Sequence, residues 1–196
     1  MLYARVLVLV GASALLAGCG GSTGAASTAS QPRMPVETFS ATFTNISNIG
    51  ATGATPVTIR VTRWTPDDEH ARLMGILAKD GNEAFTRELQ GVKETGSIGV
   101  PQELAYPLLY SRQVRTQEGG RKIMLITDRP MTFQERVGSS ISRDYPLTWI
   151  EMTLDKADRG EGSVVLAARL RLLGDVMGVE DLSNQPARLT AIRRVR

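Results

Sequence analysis

The chain has 196 residues, with 23 Lys and Arg against 20 Asp and Glu, one Cys, one His and 42% apolar residues. That is enough chain for one domain with a buried core, and too apolar for a disordered polypeptide. A lone cysteine excludes a disulfide scaffold. The near balance of charge removes nucleic acid as the default partner, because phosphate recognition needs a concentrated basic face.

The chain opens with one positive charge, Arg5, an apolar run from Val6 to Leu16, and the small residues Ala17 and Gly18. This is the layout of a secretory signal peptide spanning residues 1–18. The run is shorter than the roughly 20 apolar residues of a membrane-crossing helix. Loss of residues 1–18 removes only Arg5 among the charges and leaves 22 basic against 20 acidic residues.

Leu16-Ala17-Gly18-Cys19 resembles the lipobox of bacterial lipoproteins. The resemblance implies that the Cys19 sulfur receives a diacylglycerol group, that cleavage falls just before it, and that acyl chains such as palmitate anchor the protein in a membrane. Gly20, rather than Asp, at the next position implies passage to the periplasmic face of the outer membrane in a Gram-negative envelope. An ordinary secretory cleavage with an incidental cysteine and a retained signal anchor are the alternatives. Residues 19–35 follow as a lipidated terminus and tether. From Gly20 to Pro35 the chain is Gly, Ser, Thr and Ala with little to bury, so a flexible coil reaching roughly 20 to 25 Å is expected.

Residues 36–196 read as a single β-rich domain. Phe39, Ala41 and Phe43 alternate with Thr and Ser, and Val57, Ile59 and Val61 repeat the pattern across a Gly-containing turn. Thr65-Pro66-Asp67-Asp68-Glu69 then offers an N-cap hydroxyl, a first-turn Pro and acids that suit the helix dipole. Leu73, Met74, Ile76 and Leu77 recur at helical spacing, and Asp80-Gly81 stops them. A second short helix is expected from Asn82, its cap, with Ala84, Phe85 and Leu89 inward and Gly91 at its end.

Next, Leu104, Tyr106, Leu108 and Tyr110 alternate toward one face, turn at Glu118-Gly119-Gly120-Arg121, and return through Ile123, Leu125 and Thr127. Arg112, Arg115, Arg121 and Lys122 are expected to decorate the wet face and tip of this hairpin. After a polar loop, Ile150, Met152 and Leu154 oppose Leu147, Trp149 and Glu151, and Val164, Leu166, Ala168 and Leu170 return on one face. Two shorter strands lie near 176–182 and 188–195. Alternation places Arg188 and Arg194 on one face of the last. The fold class expected is mainly β, an antiparallel barrel or sandwich of about eight or nine strands with a helical pair inserted after the second strand.

Chemistry is sparsely signalled. His70 follows three acids, but consecutive helical residues point apart and no other His or Cys is available as a ligand, so no metal is expected. Asp155, Asp158 and Glu161 crowd one turn without calcium-loop spacing. The serines of Thr95-Gly96-Ser97-Ile98-Gly99 and of Gly138-Ser139-Ser140 complete no Gly-x-Ser-x-Gly. No nucleotide fingerprint or phosphate loop occurs, and no cofactor is expected. Asp128, Arg129, Arg143, Asp144 and Tyr145 form a candidate polar site, against an Asp–Arg network that merely braces two loops. Tyr106, Tyr110, Trp149 and Met152 form a candidate lining for an apolar cavity.

Thr62-Arg63-Trp64, Thr127-Asp128-Arg129-Pro130, Arg143-Asp144-Tyr145-Pro146 and Gln185-Pro186-Ala187-Arg188-Leu189 look similar to recurring segments of an uncharacterised family of small secreted bacterial proteins. That resemblance implies a fold unit and a secreted location, with no mechanism. The function expected is a non-catalytic envelope lipoprotein that binds an apolar or amphipathic ligand or a protein partner. The alternatives are a structural envelope lipoprotein and, third, a hydrolase using the polar loop.

Overall fold

The computed structural model describes residues 37–46, 52–101, 105–129, 131, 144–173, 176–181 and 185–195. Cys19 and the segments expected to form a signal peptide and a tether lie outside the described residues, as do Leu104, Arg143 and the Gly-Ser segment at 138–140. The strands are β1 (Glu37–Asn45), β2 (Gly53–Val61), β3 (Gly96–Gly99), β4 (Ala105–Leu108), β5 (Tyr110–Arg115), β6 (Arg121–Thr127), β7 (Leu147–Leu154), β8 (Arg159–Leu173), β9 (Val176–Asp181) and β10 (Ala187–Arg194). One helix, α1 (Asp67–Gln90), follows β2.

The strands form one antiparallel sheet in the order β4-β3-β2-β1-β10-β8-β7-β6-β5, with β9 paired to β8 off that path. The two edge strands, β4 and β5, are consecutive in the chain. Leu108 O accepts from Thr95 N at 2.7 Å on one side, and Leu109 N donates to Ile126 O at 2.9 Å on the other. The polypeptide itself therefore crosses the seam, and the sheet is a nearly closed barrel rather than a sandwich. Hydroxyls finish the seam: Thr95 Oγ1 lies 2.8 Å from Ser111 Oγ, and Ser111 N donates to Thr65 Oγ1 at 3.0 Å. All three residues are buried.

Two cores result. The barrel interior holds Phe39, Ile59, Ile98, Ile123, Ile150 and Leu189 among others. The second lies under α1, where Leu73, Leu77, Phe85 and Leu89 meet Tyr110, Ile126, Trp149 and Leu170. β7 serves both, since Ile150, Met152 and Leu154 point inward while Leu147 and Trp149 point to the helix. That split is the one its period-two pattern predicts.

The helical pair itself stands: α1 is two helices that meet at Gly81, whose φ of 77° and ψ of -170° are non-helical. Several expectations are corrected. Thr65 does not cap α1; Pro66 occupies that position with no side-chain cap, because the Thr65 hydroxyl is committed to Ser111 across the seam. Asn82 also caps nothing. Its amide takes both backbone groups of Leu170, donating to the carbonyl at 2.5 Å and accepting from N–H at 2.8 Å. Gly96–Gly99, to which no element was assigned from the sequence, is strand β3, and a side chain at Gly96 would fall onto the Arg60 carbonyl.

The long hairpin holds only from Tyr110 to Thr127, because β4 pairs with β3. Bulges account for the remaining errors of facing. The β7–β8 register shifts between Leu147 and Trp149, so Val164 and Leu166 point inward while Ala168 and Leu170 face α1. In β10 the register shifts between Leu189 and Ile192, where Ala191 adopts φ 51°. An extra residue reverses the alternation beyond it. Arg194 therefore shares the face of buried Ile192, and Arg188 lies on the opposite face, next to buried Leu189.

Candidate functional site

The sequence-derived candidates do not assemble as two sites. Met152 is fully buried inside the barrel and half-buried Tyr106 packs against the same core. Tyr110 and Trp149 belong to the core under α1. The four residues thus sit on opposite sides of the barrel wall and line no common cavity, because the strand switch at Leu109 turns Tyr110 away from the interior that Leu108 faces. Of the polar set, Asp128 and Arg129 pair with each other at 3.2 Å. Asp144 lines a cleft of about 740 Å³ with Asp80, Asn82, Arg87 and Arg169. Asp128 and Arg129 do not line that cleft, Tyr145 is half-buried, and Arg143 is outside the described residues.

Two of the three acids before His70 are spent on separate partners. Asp67 accepts from Arg112 at 2.9 Å and Glu69 pairs with Arg63 at 3.2 Å. His70 Nδ1 instead lies 3.0 Å from the Tyr110 hydroxyl. Burial and the Arg112 charge hold the His70 pKa below its ordinary value, while burial pushes Tyr110 up to about 12. The hydrogen bond between the phenol and the imidazole fixes the first turn of α1 to β5. In the Asp155 turn, Oδ1 accepts from Ala157 N at 2.8 Å and Arg159 N at 2.9 Å. Those backbone bonds hold the Asp155 pKa low.

The most organised polar cluster lies at the barrel end where β1 begins, and the sequence reading missed it. Arg121, expected on a wet hairpin tip, is half-buried there, its side chain 14% exposed. Its Nη1 and Nη2 donate to the two carboxylate oxygens of Glu37 at 3.1 and 2.7 Å. Its Nε donates to Asp158 Oδ1 at 2.9 Å, and Nη1 also reaches Gln113 Oε1 at 2.8 Å. The guanidinium stands 5.5 Å from the centroid of Phe39, over the end of the inner core. Arg194 adds a second cation, 3.3 Å from Asp158.

Burial works against the Arg121 charge, but the Glu37 and Asp158 carboxylates outweigh it and hold its pKa above the ordinary value. Chemically the cluster is a saturated plug: each carboxylate faces a cation in fork or near-fork geometry. A cleft of about 500 Å³ opens beside it, lined by Trp64, Val114, Arg115 and Lys156 as well as the ion-paired residues.

A signal for this cluster was present. Glu37 is in phase with Phe39 and Ala41, Arg121 with Ile123 and Leu125, and Arg194 with Ile192. Three strands thus bring an inward-facing charge to one end. Compared with protein-family models, curated proteins and solved structures, the chain matches none.

Proposed function

We propose that this protein is a lipid-anchored lipoprotein of the bacterial envelope that acts without catalysis, engaging a protein partner through the outside of its barrel. The anchor is Cys19, on the strength of Leu16-Ala17-Gly18-Cys19. The observation that carries the choice of partner is the filled barrel. Phe39, Ile59, Ile98, Ile123, Ile150 and Met152 have no solvent-accessible surface. Side chains lining a cavity large enough for an apolar ligand would retain some.

The packing thus favours recognition by the surface over carriage of a ligand inside. The hydrolase reading draws no comparable support, since Asp128 is engaged by its chain neighbour and Asp144 lines a separate cleft. A purely structural lipoprotein remains the second reading, favoured by the same packing.

Two measurements test this. Labelled palmitate should enter the wild-type protein and not Cys19→Ser, which should accumulate as precursor; normal maturation of that variant would sink the anchor. Native mass spectrometry of residues 33–196, one compact unit, should return the bare polypeptide mass. An added mass that disappears on denaturation would replace the partner reading with a ligand carrier. Envelope crosslinking of the mature protein separates partner engagement, which gives a discrete adduct, from the structural reading.

A further inference from the structure

The barrel end that receives the chain at Glu37 combines two features. The first is exposed apolar surface. Val114 is 50% exposed and Val195 55% exposed. Both belong to this end: Val195 N donates to Thr38 O at 2.8 Å, and Val114 lines the cleft beside Glu37 and Arg194. The second is positive charge outside ion pairs. Arg115, Lys156 and Arg193 are exposed and have no ion-pair partner among the described residues. Arg193 donates only to the neutral Ser40 hydroxyl, at 3.1 Å. The inward cations Arg121 and Arg194, by contrast, are matched by Glu37 and Asp158.

Local structure fixes where the outward charges sit. The Lys156 stem crosses the face of Gly119, which has φ 82°, and a Cβ there would lie 2.7 Å from Lys156 Cε. The β5–β6 and β7–β8 turns are therefore held together, with Arg115 and Lys156 beside one cleft. Of the acids at this end, Asp155 is tied to two backbone N–H groups, and Glu118 and Glu161 are exposed, the latter beside Arg193 and balanced by exposed Arg159 in the same cleft.

Apolar side chains interleaved with cations suit the boundary between headgroups and acyl chains. A short tether leading to this same end keeps a membrane surface at high effective concentration. We propose that this end of the barrel rests on the bilayer that holds the anchor, with Arg115, Lys156 and Arg193 against anionic lipid phosphates and Val114 and Val195 at the acyl boundary. The proposal rests on anchoring through Cys19, and it orients the rest of the barrel surface and the β8–β9 hairpin away from that contact.

The test is hydrogen exchange on the mature acylated protein in vesicles of phosphatidylcholine, with and without phosphatidylglycerol. The Gly119 and Asp158 amides are hydrogen-bonded within the two turns, so their exchange is slow enough to follow. In phosphatidylglycerol vesicles both turns should be protected about fivefold or more, the gain expected from one basic side chain at an anionic surface. High salt and the Arg115→Gln/Lys156→Gln variant should each abolish this, with α1 unchanged throughout.

Equal exchange in the two vesicle types overturns the proposal, as does protection that survives the double variant. Protection confined to α1 or the β8–β9 hairpin overturns it by placing another face on the bilayer. Protein left in the supernatant when the vesicles are pelleted means that anchoring itself has failed, and the proposal falls with it. That outcome is distinct from protein that pellets without protection.

Discussion

Inside the barrel, Phe39, Ile59, Ile98 and Ile150 lie on stretches of strand that keep one alternation. The core beneath α1 instead takes Tyr110, Ala168 and Leu170 from segments beyond a strand switch or a bulge. The difference shows how one sheet serves two cores: a residue's facing depends on every irregularity that precedes it in the strand. It also implies different consequences of damage. The interior is shared by nearly every strand, whereas the outer core is held by one helix.

The largest effects should separate the two cores directly. Phe39→Ala and Phe85→Ala each remove a fully buried ring and should each cost about 3–5 kcal/mol. Phe39→Ala should lower the single global transition in denaturant. Phe85→Ala should show, by hydrogen exchange, opening of α1 while β1, β2 and β10 keep their protection; simultaneous loss in the strands would mean that the two cores are one cooperative unit.

The ionic end of the interior should come next. Glu37→Ala leaves half-buried Arg121 with half its ligation gone, and a loss of about 2 kcal/mol is expected in urea titration. Glu37→Leu combined with Arg121→Met should recover most of it. If the double variant is no better than the single, the cluster contributes more than neutralised charge.

Wall curvature gives a smaller effect. Gly160→Ala would push a methyl group onto the Thr153 carbonyl of the neighbouring strand, and about 1–3 kcal/mol should be lost, with no comparable effect from Gly75→Ala on the open face of α1.

The smallest effect belongs to the helix contact. Tyr110→Phe should cost about 1 kcal/mol. The same contact should respond to pH. The folded His70 pKa lies below its ordinary 6.5, so the unfolded chain binds the proton first. Its contribution is complete above that ordinary value and is lost as pH falls through the lowered folded one. Melting temperatures across about pH 7 to 5 should decline less steeply for His70→Gln than for wild type; parallel curves would remove His70 from the account.

Much of the fold was legible because burial on one face imposes period two, as along Phe39-Ala41-Phe43 and Ile150-Met152-Leu154. The helix after the second strand was legible from its acids, Pro66 and leucine spacing. What escaped were features set by distant backbone. Nothing local marks Leu109 as the point where a strand changes partner, and Gly96–Gly99 carries too few side chains to show alternation. Ala191 gives no hint of its φ of 51°, yet it decides which way Arg194 points.

The candidate site was less legible. Tyr106, Tyr110, Trp149 and Met152 were grouped by residue type, and the barrel wall divides them. The Glu37–Arg121–Asp158–Arg194 cluster was readable only as charges in phase with apolar residues. That pattern gains meaning only when three strands are known to meet.

Asn82 has a consequence for the protein outside its own fold. Beyond the Leu147–Ala168 pair, β7 no longer runs beside β8, and the Asn82 amide binds Leu170 in place of a neighbouring strand. Unguarded ladder positions recruit strands from other molecules and seed aggregates. By filling this one with a side chain from α1, the protein makes helix docking and protection against self-association the same event, so a chain whose helix has not yet settled is also the chain most exposed to sticking to its copies.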